Sequence, residues 1–286
     1  MKNISIILAS VALSVFSVHF LVKPKNIEIK HEPSKLETIL NRGTLSCGYT
    51  SFPPMLIIDP NTGKISGIAH DIMQEIGKKL GVKIEWTEEA GWGDHVTALN
   101  NNRFDVFCAG GWPNSKRARS IAFTNPIIYS PLDVFVRAND YRFDNDPQNN
   151  LNKKHVKIVG IDGGTISTIA QELFNNATHY TLPDSTPISN LFIEVYSHKS
   201  DAVVMDRSSG FEFMRNNKDK IKKLDNILVR VYPNVYSINY DEVELQQALN
   251  IALGELHNAG IIKRIVTKYQ PLPNSYFFVH PEYIEQ

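Results

Sequence analysis

Short runs of β-forming residues alternate with stretches whose apolar positions recur at helical spacing. That alternation is what an open, mostly parallel sheet with helices packed on its faces requires. TLSCGY, VKIEW and FDVFCA read as strands in the first half, and VKIVGI and SDAVVMD in the second. Between them, GIAHDIMQEIGKKLG sets Ile68, Ile72, Ile76 and Leu80 on one helical stripe, with Gly81 as a stop. GDHVTALNNN reads as a short helix and ISTIAQELFNN as a longer one. PISNLFIEVYSH carries Ile188, Leu191, Phe192, Val195 and Tyr196 at amphipathic spacing, and SSGFEFMRNN opens a further helix. The last helical stretch puts Leu245, Leu249, Ala252, Leu253 and Leu256 on one face before Gly260 breaks it.

At 286 residues the chain has room for two such blocks, 36 to about 134 and about 138 to 230. LDVFVRA and LVRVYPNVYSI join them as two extended crossovers, which makes a hinge. The expected architecture is α/β, with two Rossmann-like lobes joined by that two-stranded hinge. Lobe 1 is expected to comprise 36–134 plus 237–286, and lobe 2 to be an insertion of 135–236. Ligands of such sheets bind at the carboxyl ends of the strands, which here face the cleft between the lobes. Thirty basic residues balance thirty acidic ones, and that zero net charge argues against a nucleic-acid partner. Residues 1–22 contain one long apolar run and read as a signal peptide or an N-terminal membrane anchor, followed by a polar linker over 23–35. Either reading places the rest in the periplasm or on the extracytoplasmic face of the membrane. Membrane attachment is expected only through that N-terminal segment.

The stretch DVFCAGGWPNSKRARS brings a buried strand, two glycines and three cations together. Gly110 and Gly111 let backbone approach a ligand closely, and Asn114 is a good cap for a helix expected to begin there. A helix N-terminus there favours an anion, and the Arg117 guanidinium can add a bidentate fork to a carboxylate. Lys116 and Arg119 read as a solvated face. Cys47 and Cys108 lie near strand ends, and an exported chain permits a bridge between them. Two free, buried thiols are nevertheless expected, because neighbouring parallel strands seldom offer disulfide geometry. His70, His95 and His179 have no metal-ligand spacing and read as solvated, so neither a metal nor another cofactor is expected.

The ordered features NRGTLSCGYTSFPPM, GKISGIAHDIMQEIGKKLGVKIEW, ALNNNRFDVFCAG, SKRARSIAFTNPIIYS, VGIDGGT, SDAVVMD and ALGELHNAGIIKRIVTKY resemble family 3 extracellular solute-binding proteins. These are polar amino-acid receptors of ABC importers with the type II periplasmic binding fold. The resemblance runs from about Leu36 to Tyr269. It implies that Arg117 grips a ligand α-carboxylate and that Asp206 accepts the α-ammonium. It implies a place for Thr165 near the carboxylate, and for Phe52 and Trp92 as aromatics at the cleft. Core or hinge packing is the alternative role for both rings, and an N-cap is the alternative for Asp206. Tyr49 sits at a strand end near the same site. The family usually has a threonine where this chain has Trp112, a larger residue that reshapes the pocket or stacks on a planar or cationic group.

The function so implied is non-enzymatic: capture of a small carboxylate-bearing zwitterion, hinge closure, and delivery to a membrane ABC permease by a monomeric receptor. One rival is a dehydratase-like enzyme of the same fold, with Asp206 or His95 as the acid–base group. The sensing module of a receptor is another, and is less favoured because no signalling domain follows the fold.

Overall fold

The computed structural model describes residues 32–227 and 230–279. The expected signal or anchor segment, and the linker up to residue 31, lie outside the described residues. Among the described residues no helix is long and apolar enough to cross a membrane. The first element is a helix not anticipated from the sequence, α1 (Lys35–Arg42). Ser34 and Glu37 form a reciprocal capping box at its start, and Gly43 closes it.

Three parallel strands follow in the first half: β1 (Thr44–Tyr49), β4 (Lys83–Glu89) and β5 (Val106–Gly111). A two-stranded hairpin, β2 (Ile57–Ile58) with β3 (Ile65–Ser66), leads into helix α2 (Ile68–Leu80). Helix α3 (His95–Asn100) precedes β5, and β6 (Ile121–Phe123) follows it. In the second half, α4 (Pro147–Leu151), β8 (Lys157–Ile161), α5 (Thr165–Leu173), β9 (Thr178–Leu182), α6 (Ser189–Tyr196), β10 (Ala202–Asp206), α7 (Arg207–Asn216) and β11 (Ile221–Lys223) succeed one another. Helices α8 (Val243–Asn258) and α9 (Ile261–Tyr269) end the regular structure and pack on α2.

Two long strands carry the chain between the halves, β7 (Ile128–Arg137) and β12 (Val231–Asn239). The sheet order is β4-β1-β5-β12-β7-β10-β8-β9, with β11 on β7 and β6 on β12. Each long strand divides its pairing. Residues 128–131 of β7 pair with 231–234 of β12, after which β7 turns to β10 and β11 while β12 turns to β5 and β6. The antiparallel β7–β12 pair is therefore the sheet's link between two parallel blocks. This is the two-lobed, two-stranded-hinge architecture of the type II periplasmic binding proteins. Ser130 and Asn234, both fully buried, sit inside it. The Ser130 hydroxyl donates to Asn234 Oδ1 at 2.6 Å, and Asn234 Nδ2 donates to the Gly110 carbonyl at 2.8 Å. The polar atoms of both residues are thus satisfied where an unsatisfied one would be costly.

The apolar stripes behave as their spacing demands. Ile68, Ile72 and Ile76 of α2 are fully buried, and so are Leu245, Leu249 and Leu256 of α8. Each such side chain contributes on the order of 1.5–3 kcal/mol. In the second half a buried Arg137 donates to the carbonyls of Val195 and Ser200 and pairs with Asp140 and Asp201. Asp201 also accepts from the Lys157 backbone N–H at 2.9 Å, in keeping with a structural role at the start of its strand.

Three sequence expectations are corrected. Cys47 and Cys108 are bridged, with Cα atoms 5.6 Å apart. Cys47 registers against Val106 across the parallel β1–β5 pair, so Cys108, two residues further, emerges on the same face within disulfide reach. No α-helix begins at Asn114. The chain makes only a 3-10 turn at Arg117–Arg119, and the Asn114 side chain accepts from the Arg117 backbone N–H at 2.8 Å. Pro113 and the tight return into β6 leave no length for a helix. His95 is buried rather than solvated, stacked on Phe107 at 4.5 Å.

Candidate functional site

The carboxyl ends of β5, β8 and β10 meet at one cleft, lined by Gly111 from the first, Ile161 from the second and Met205 from the third. Phe52, Trp92, Trp112, Arg117 and Thr165 line it too, so five of the residues singled out in the sequence converge there. Phe52 stands edge-on to both indoles, its ring centre 5.4 Å from that of Trp92 and 5.8 Å from that of Trp112, at 88° and 85°. Trp112 is 7% exposed, and its indole N–H has no hydrogen-bond partner.

Arg117 spans the cleft. Nη2 donates to the Trp92 carbonyl and to the Gly163 carbonyl, both at 2.6 Å, and Nη1 donates to the Thr165 hydroxyl at 3.2 Å. Trp92 belongs to the first lobe, whereas Gly163 and Thr165 belong to the turn and first helical residue of the second. The Thr165 hydroxyl also accepts from Asn114 Nδ2 at 2.9 Å and donates to the Trp112 carbonyl at 3.2 Å. Among the described residues no carboxylate pairs with Arg117. Burial pulls its guanidinium down to about 10, since the charged form has lost water without gaining a counter-ion. The same cation and, above all, burial push the His95 imidazole down to about 3, so that ring is neutral at ordinary pH.

The lobes touch closely at the rim. Gly163 has φ +65°, and a Cβ there would fall 2.8 Å from the Cα of Gly93 in the opposite lobe. A side chain at that position would hold the cleft open.

Asp206 ends β10 and is 1% exposed. Oδ1 accepts from the Ser209 backbone N–H at 2.9 Å and so caps α7, while Oδ2 is buried without a hydrogen-bond partner. Burial raises its carboxyl to about 6 against the lowering effect of the Ser209 N–H and nearby hydroxyls. It does not line the cleft between Arg117 and the aromatics. It lies one residue beyond Met205, and Ser209 in the turn it caps donates to the carbonyl of Pro53, next to Phe52. Gly110 has φ +71° and packs against Met55 behind the cleft. Tyr49 stands edge-on to Trp86, 6.1 Å between ring centres, away from the lining.

Ile161, Ile166, Ile188 and Met205 also line the cleft, beyond the residues that the sequence singles out. The strand-end rule that points to Asp206 reaches Ile161 and Met205 equally, whereas Ile188 reads as one more apolar position of a helix stripe. Nor was the Gly163 carbonyl legible, because its acceptor role depends on how the lobes meet.

The fold is thus a two-lobed α/β architecture with a desolvated arginine, unpaired by any carboxylate among the described residues, in the cleft between its lobes. Residues 45–271 match the bacterial extracellular solute-binding proteins, family 3, and the chain belongs to that family. It is 22% identical over 215 residues to the probable histidine-binding protein of Campylobacter jejuni, covering 72% of this chain and 77% of that one. The L-cystine-binding protein TcyJ of Escherichia coli K12 is 20% identical over 249 residues, covering 87% and 91%. Among solved structures, the ancestral amino acid-binding protein AncCDT-1, a precursor of cyclohexadienyl dehydratase, superposes with a TM-score of 0.73. It is 25% identical, covering 83% of this chain and all of that one.

Proposed function

We propose that the protein captures a small amino acid-like zwitterion outside the cytoplasm and delivers it to a membrane ABC permease. The observation that carries this reading is Arg117: a desolvated guanidinium reaching across the cleft to both lobes, held only by neutral oxygens. A ligand carboxylate would exchange those dipoles for a charge-assisted pair, and each such bond contributes about 1.5–3 kcal/mol. Thr165, at the head of α5, adds a hydroxyl to the same end. The unpartnered Oδ2 of Asp206 supports a site for the ligand ammonium, reached once the Phe52 and Met205 side chains part to admit a guest. A ligand bound to Arg117 in one lobe and Asp206 in the other stabilises the closed form over the open one.

This reading makes the protein a receptor that acts as a monomer, not an enzyme. A neutral His95 cannot serve as a general acid near neutral pH, and in this reading the free Oδ2 of Asp206 takes the ligand ammonium rather than a proton in transit. The test is calorimetry and thermal shift of the full chain against an amino-acid panel. A ligand at 100 times its Kd should stabilise by about 2.7 kcal/mol. Arg117→Ala should abolish the shift for every carboxylate ligand, and unchanged binding in that variant would sink the proposal. Incubation with cyclic, prephenate-like acids should leave them intact by mass spectrometry. A dehydrated product would establish the enzyme reading instead.

A further inference from the structure

We infer that the ligand's side chain is uncharged and apolar, with a flat aromatic group preferred, and that Trp112 selects it. The inference rests on the receptor reading above and concerns the specificity of that same cleft. Arg117 and Thr165 hydrogen-bond to one another at the carboxylate end and, the two indole N–H groups aside, are the only polar side chains among the described residues that line the cleft. The remaining side chains of the lining are aliphatic, thioether or aromatic, and among the described residues no aspartate, glutamate, lysine or histidine contributes to the wall. Asp206, one residue beyond the lining Met205, is reserved for the ligand ammonium, and other charged groups line the adjoining grooves rather than this wall. Glu212, Arg215 and Lys268 belong to a groove on one flank, and Lys116, Asp162 and Glu172 to a groove on the other. A charged or strongly polar ligand side chain would therefore lose its water and gain no partner.

Shape points the same way. Phe52 is perpendicular to both indoles, so the three rings form faces and edges that receive an aromatic guest in edge-to-face contact. Ile161, Ile188 and Met205 close the opposite side with aliphatic surface. Trp112 is fixed in this wall: Thr165 donates to its carbonyl and Tyr232 lies 6.3 Å from its ring. Its unpartnered indole N–H leaves one donor for an acceptor oxygen of the ligand, while its ring fills the volume that a polar side chain with bound water would need. Aromatic walls also attract cations. Here, though, a guanidinium would bring five N–H donors to a wall without an acidic acceptor, beside a second guanidinium.

The test measures the full chain by isothermal titration against L-phenylalanine, L-leucine, L-arginine, L-histidine and L-glutamate. L-Phenylalanine should bind at least tenfold more tightly than any of the three charged or polar probes, with L-leucine between. Trp112→Thr should weaken L-phenylalanine at least tenfold and shrink its advantage over the polar probes, whereas Trp112→Phe should keep most of that advantage. An unchanged melting temperature without ligand would separate lost selectivity from lost folding. Arg117-dependent binding of L-arginine, L-histidine or L-glutamate at equal or higher affinity would overturn this specificity and leave the receptor reading standing. Binding of none of the five would overturn both.

Discussion

Asp206 places two demands on one carboxylate. Oδ1 satisfies the first turn of α7, and Oδ2 is buried without a partner, so ionisation is opposed by burial and the group titrates near 6 rather than 3.8. Between those values the folded protein holds a proton that the unfolded chain releases. Without ligand, the stability from this group is present in full below the unfolded value and is lost as pH rises through about 6. An ammonium at Oδ2 favours the charged form, so ligand affinity should rise with pH through that same window and level off above it. Calorimetry at about pH 5 and about pH 8 should show the rise, and Asp206→Asn should flatten the profile. Asparagine still caps a helix, so that variant should fold, whereas Asp206→Ala should lose about 0.5–2 kcal/mol besides. A profile that keeps its inflection in Asp206→Asn would remove the carboxylate from the site. His95, already neutral, should add no inflection near its ordinary value.

The elements that meet at the cleft make their own predictions. The turn between β8 and α5 approaches the opposite lobe at Gly163, where φ is +65° and a methyl group would collide with Gly93. Gly163→Ala should weaken ligand binding at least tenfold with a smaller loss of stability, because the collision exists only when the lobes are together. Equal affinity to the parent in calorimetry would show that the rim contact is not needed for capture. Behind the cleft, the Cys47–Cys108 bridge closes a loop with a sequence separation of 61 residues. In the chain-entropy account it contributes about 4 kcal/mol, so the Cys47→Ser/Cys108→Ser double variant should melt on the order of 10 °C lower. Strand and helix identities were largely legible from periodicity, as the stripes of α2 and α8 illustrate. The disulfide was not, because Cys47 and Cys108 are brought together by the register of β1 on β5, and register is a pairing property rather than a local one.

At the scale of the whole molecule, the two lobes are joined through the short pairing of 128–131 with 231–234. Ser130, Asn234 and the Gly110 carbonyl run from that hinge to the strand that opens into the ligand loop. Asn234→Ala would leave a buried hydroxyl and a buried carbonyl without partners, a cost of about 1–3 kcal/mol. Chemical denaturation should register that loss, and a stability within error of the parent would mean that the network relaxes onto water.

What the sequence by itself determined is the alternation of strands and helices, the apolar stripes, and the strand-end positions of Arg117's loop, Thr165 and Asp206. These follow from spacing along the chain, because apolar residues at period 3.6 or 2 share one face whatever they pack against. Tertiary structure decided the rest. It turned the expected helix at Asn114 into a 3-10 turn that aims Arg117 at Gly163 and Thr165, and it buried His95 against Phe107. It also set Phe52 between two tryptophans that are 20 residues apart in the chain, Trp92 and Trp112. Those outcomes depend on which surfaces meet, within the first lobe for His95 and the three rings and between the lobes for Arg117, and residues that meet only through packing leave no period in the sequence.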